Sequence, residues 1–85
     1  MAKSSQNQRY AICVDNTDYP AALELRKIYR VIPDADAAQD GDLRVIDESG
    51  EDYLYPADYF VIVDFPATAL RALRKSFARE ASEAR

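Results

Sequence analysis

Apolar and polar positions alternate most clearly between Arg44 and Val63, in RVIDESGEDYLYPADYFVIV. Leu43 to Ile46 and Tyr53 to Tyr55 flank the acidic connection from Asp47 to Asp52, a pattern that predicts a β-hairpin. Pro56 to Asp58 then suits one turn of tight helix, because proline presets the torsion of an opening turn and aspartate bonds nearby amides. Phe60 to Val63 follows as a buried strand.

Two further strands precede the hairpin. Tyr10 to Val14, YAICV, is apolar at nearly every position and predicts a strand covered on both faces. In KIYRVI, Lys27 to Ile32, Ile28 and Arg30 fall on one side and Tyr29 and Val31 on the other, with Pro33 ending the run. Between them DNTDYP, Asp15 to Pro20, is a loop. Ala21 to Leu25 suits a helical turn or, as the alternation of Leu23 and Leu25 with Glu24 and Arg26 favours, a loop edge or short strand.

Helical signals are few. Asp34 to Asp42 predicts a helical turn within a loop, with Asp34 as N-cap and Gly41 as stop. Pro66 opens a longer helix in which Leu70, Leu73 and Phe77 recur at helical spacing, with Ala69 and Ala81 beside them. The expected fold is mainly β: a small five-stranded barrel over residues 9–65, with a short helical turn before its last strand and an appended C-terminal α-helix over 66–85. Residues 1–8 are expected to be a flexible N-terminus.

Glu24-Leu25 followed by Lys27 to Val31, and Pro56-Ala57-Asp58-Tyr59-Phe60 before the last strand, resemble the second-strand and Pro-Ser-Asn-Tyr segments of SH3 domains. The resemblance covers roughly Tyr10 to Asp64. A Lys-x-Tyr-x-Val strand, an Asp-x-x-Gly-Glu turn and a Tyr-Pro-x-x-x-Phe segment also resemble small bacterial and phage SH3-like proteins of unassigned function. The likeness implies an SH3-like barrel and a peptide groove near Pro56 and Tyr59. It departs from peptide-binding SH3 domains in having no Trp, and Tyr10-Ala11-Ile12-Cys13-Val14-Asp15 stands where they carry Ala-Leu-Tyr-Asp-Tyr.

Composition narrows the chemistry. At 85 residues the chain has room for one domain, whose core is small enough to gain from an extra helix or a second subunit. The net charge of −4 divides unevenly: residues 1–65 carry 13 acidic and 6 basic residues, residues 66–85 carry 2 and 5. An acidic body argues against general nucleic-acid binding, which draws its affinity from Lys and Arg. With no His, and Cys13 as the sole cysteine, the commonest general base, metal ligand and disulfide are all missing. No enzyme activity, metal or cofactor is expected. The N-terminal MAKSSQNQR lacks the apolar core of a secretory leader, and no run approaches a membrane span, so a cytoplasmic location is expected.

Three surfaces remain. Tyr19, Tyr53, Tyr55 and Tyr59, with Pro56, either form a groove for a proline-rich peptide or lie across the core edge with hydroxyls in water. The acidic hairpin of Asp47, Glu48, Glu51 and Asp52 reads as a solvated turn, since its spacing matches no EF-hand. Leu70, Leu73 and Phe77 form a helix interface toward the barrel or a second copy, while Arg71, Arg74, Lys75 and Arg79 form a basic patch. The expectation is a noncatalytic protein-interaction module whose partner is a protein or peptide or, in a homodimer, another copy of itself. The alternatives are a nucleic-acid accessory protein using the basic helix and a purely structural homodimer.

Overall fold

A computed structural model describes residues 9–83, and side chains through Glu80. The flexible-terminus expectation for residues 1–8 and the position of Ala81 in the stripe lie outside what is described. Five strands form, β1 (Arg9–Cys13), β2 (Ile28–Ile32), β3 (Asp42–Ile46), β4 (Asp52–Pro56) and β5 (Phe60–Val63), with helices α1 (Ala35–Gln39) and α2 (Ala67–Glu83). A 3-10 turn, Ala57–Tyr59, separates β4 from β5.

All strand pairs are antiparallel, in the order β4-β3-β2-β1-β5. The sheet curls strongly: Tyr55 of one edge strand and Phe60 of the other meet with ring centroids 6.4 Å apart. Alternation along each strand then sends Ala11, Cys13, Tyr29, Val31, Val45, Tyr55 and Phe60 into one core, joined by Leu23 from the β1–β2 loop. This is the expected five-stranded barrel with its helical turn and appended helix.

Local chemistry accounts for the boundaries. Asp34 is extended and accepts a hydrogen bond from the Ala37 amide at 3.0 Å, capping α1, while Gly41 takes a φ of +79° just beyond its end. Arg44 donates to Asp34 at 2.8 Å and to Asp52 at 3.0 Å, tying the α1 cap to the hairpin.

Ala21 to Leu25 takes the loop form expected of it and is no strand: the Ala22 and Leu23 amides both donate to the Tyr19 carbonyl, and Asn16 Nδ2 donates to the Leu23 carbonyl at 2.9 Å. Those bonds fold the segment on itself, so Leu23 is buried while Leu25 points outward. The last strand needs correction, because it is not buried throughout. Only Phe60 of β5 is buried; Val61 and Ile62 are exposed because β5 is a sheet edge.

Helix α2 crosses the outer face of the sheet. Tyr10, which alternates with the core residue Ala11, stacks on Phe77 and meets Phe65 edge-on at 6.2 Å. Ala69, Leu70, Leu73 and Phe77 are half-buried, so the helix rests on the barrel through one apolar stripe.

Candidate functional site

The β1–β2 loop brings Tyr19 to the 3-10 turn. The Val14 and Asp15 amides donate to the Tyr59 carbonyl at 2.8 and 3.3 Å, pinning the loop's start, and the Glu48 amide donates to the Ala22 carbonyl at 3.0 Å. Tyr19 then meets Tyr55 edge-on at 4.9 Å and Tyr59 at 6.1 Å. Edge-to-face contacts of this kind hold rings in place while leaving faces free.

The four tyrosines are not equivalent. Tyr55 is buried at 4% exposure and is part of the core, its hydroxyl donating to Asp47. Tyr19 is exposed and Tyr59 half-buried, so these two present ring surface to solvent. Tyr53 is exposed on the same face of β4, bonds Glu51 at 3.0 Å, and stacks on no ring among the described residues. Pro56 is half-buried at the end of β4, where the chain turns back. The geometry thus brings Tyr19, Tyr55 and Tyr59 together and leaves Tyr53 at the margin.

Carboxylates border this rim. Asp18 accepts a bond from the Tyr59 hydroxyl at 2.7 Å, which pushes the phenol up to about 12, burial and the charges of Asp18 and Asp15 adding to the same effect. Asp15 is itself held below the ordinary carboxylate range by bonds from the Thr17 hydroxyl and amide. Flat aromatic faces beside fixed negative charge can receive extended apolar chain together with a cation. Neither Asp15 nor Asp18 was singled out from sequence; the signal available was only the density of turn-forming Asp and Asn before Tyr19.

In the acidic hairpin Glu48, Glu51 and Asp52 are exposed, as a solvated turn requires, and Asp47 alone is buried, which corrects the reading at that residue. Asp47 is buried and accepts from Ser49 and Tyr55. Burial alone would raise its carboxyl, but those bonds outweigh it and hold the group below the ordinary value. Glu48 accepts from Lys27 at 2.7 Å and from the Tyr29 hydroxyl, which in turn accepts from the Glu24 amide. Adjacent carboxylates therefore tie two core tyrosines, one on β2 and one on β4.

Cys13 is buried, and burial pushes its thiol above the ordinary value, a setting opposite to that of a reactive thiolate. Among the described residues, no group of three potential metal-ligating side chains comes together, and no helix is long and apolar enough to cross a membrane. On α2, Arg71, Arg74, Lys75 and Arg79 are all exposed, Arg74 beside the half-buried stripe and the other three away from it. No protein-family model, curated protein or solved structure matches this chain.

Proposed function

We propose that the protein is a noncatalytic interaction module whose ligand surface is the Tyr19–Tyr59 rim, with Pro56 and Tyr53 at its margin and Asp15 and Asp18 supplying charge. The observation that carries this reading is the pairing of the exposed Tyr19 ring and the half-buried Tyr59 ring with an adjacent carboxylate, held by the Val14 and Asp15 amides just beyond β1. Support also comes from the resemblance of the Pro56 to Phe60 segment to SH3 domains. A proline-rich segment bearing Arg or Lys fits such a surface, since its preformed extended backbone loses little entropy on docking.

The test uses a panel of proline-rich peptides carrying Arg, with binding followed by fluorescence anisotropy. Tyr59→Ala is expected to abolish binding while shifting the thermal melt only slightly. A panel without a binder, or a variant that binds normally, overturns the reading. A large loss of stability would instead make Tyr59 a core element.

A second reading rests on the exposed cations of α2, which suit phosphate contacts. It requires binding of a generic oligonucleotide that weakens steeply with salt, and no binding at about 50 mM salt rejects it.

A further inference from the structure

Helix α2 divides its chemistry by side. Its stripe of Ala69, Leu70, Leu73 and Phe77 is half-buried toward the barrel, and at 3.6 residues per turn Arg71, Lys75 and Arg79 fall on the opposite side, with Arg74 on the flank between. Those four cations span about 12 Å of helix axis. All four are exposed, and among the described residues none lies in an ion pair, the paired cations being Lys27 and Arg44.

The rim has the complementary character. Asp18 accepts from the Tyr59 hydroxyl, the Asp15 amide donates to the Tyr59 carbonyl, and the exposed Asp58 precedes Tyr59 in the 3-10 turn, within a body that holds 13 of the 15 acidic residues. Arginine is suited to such a surface because its planar guanidinium stacks on an aromatic face while bonding a carboxylate.

A single copy cannot join its own two surfaces. Phe77 holds α2 against Tyr10 on the outer face of the sheet, and Tyr19 packs on Tyr55, whose side chain enters the core from the inner face. Complementary patches on different sides of one molecule are the condition for a head-to-tail contact between copies.

We infer that a second copy of this chain is a ligand of the rim, docking the cationic side of its α2 on Tyr19, Tyr59, Asp15 and Asp18 of its neighbour. The inference rests on the rim reading and names its partner. The contact is heterologous, so it builds a ring or an open row of copies, and it is salt-sensitive because both surfaces are exposed.

Sedimentation velocity of the full chain tests it. At about 0.1 mM protein and about 50 mM salt, the weight-average mass should rise above the 9.6 kDa of one chain, and at about 500 mM salt it should return there. R71E/R74E/R79E alone should stay monomeric, and so should D18K/D58K alone. An equimolar mixture of the two should associate again, because the unchanged helix of the rim variant meets the unchanged rim of the helix variant, and the reversed pair is complementary as well. Thermal melts of both variants confirm that each is folded.

A wild-type chain that is monomeric at low salt overturns the inference and leaves the rim reading standing if Tyr59-dependent peptide binding persists. Association that survives Tyr59→Ala or either reversal overturns it as well, by placing the contact elsewhere. A monomeric chain that binds a labelled oligonucleotide through Arg71, Arg74 and Arg79 assigns the basic side to nucleic acid and rejects the self-contact.

Discussion

Phe77 of α2 stacks on Tyr10 of β1, with ring centroids 5.8 Å apart and planes 19° from parallel. The Arg30 guanidinium carbon lies 4.7 Å from the centre of the same Phe77 ring, so one side chain covers both an aromatic ring and a cation on the outer sheet face. Cross-strand pairing sets this up, since Tyr10 and Arg30 are direct partners in the β1–β2 ladder.

Phe77→Ala should therefore undock α2. A half-buried ring is worth less than a fully buried one, and we expect a loss of about 1–3 kcal/mol in denaturant unfolding. Helical ellipticity at 222 nm should fall in parallel, because a helix of 17 residues is marginal without tertiary contacts. Unchanged ellipticity would show that α2 holds without this contact.

Tyr10→Phe should act in the opposite sense. The Tyr10 hydroxyl is buried with no hydrogen-bond partner among the described residues. Removing an unsatisfied buried group relieves a desolvation cost of about 1–3 kcal/mol, and the variant should be as stable as the parent or more so. A destabilised Tyr10→Phe would reveal a partner for that hydroxyl.

Acid stability should depend on Asp47. Its carboxyl titrates below the ordinary 3.8 in the folded chain, so its contribution is fully present above that pH and is lost as the pH falls through the lower folded value. Glu48, bonded by Lys27 and Tyr29, is lowered from 4.5 and adds to the same acid limb. Asp47→Asn should cost about 1.5–3 kcal/mol at pH 7, the range for a bond to a charged group, and should flatten the loss of stability below pH 4. Chemical denaturation at stepped pH measures both effects.

Tyr59 should ionise late. Its phenol, raised to about 12 chiefly by the bond to Asp18, should titrate above an ordinary tyrosine at 10, and Asp18→Asn should bring it back down. Absorbance at 295 nm, compared between the parent and a Tyr59→Phe variant, isolates this one group. If Asp18→Asn leaves the titration unmoved, the Asp18 contact does not govern the rim.

Much of this architecture was legible from short-range chemistry. The Asp34 cap, the Gly41 stop and the helical turn after Pro56 each follow from residues within a few positions of one another, and the period-2 pattern placed Tyr29 and Val31 opposite Ile28 and Arg30. What escaped depends on distant partners. FVIV is equally apolar in a central or an edge strand, and only the strand order exposes Val61 and Ile62. Asp47 and Glu51 look alike in sequence, yet Asp47 meets the inward Tyr55 hydroxyl and Glu51 meets only the exposed Tyr53. For Tyr55 and Tyr53, sharing one face of β4 did not decide which ring the barrel would enclose.

The pairing of Tyr10 with Val63 also constrains how the chain reaches this shape. These partners are separated by more than fifty positions, whereas β3 and β4 meet across a single turn. Closing so long a loop costs entropy before its contacts form, so the β3–β4 hairpin should organise early and the β1–β5 seam late. During synthesis, β1 must wait with one side unpaired until β5 has left the ribosome, and α2, which rests on Tyr10, can settle only after that.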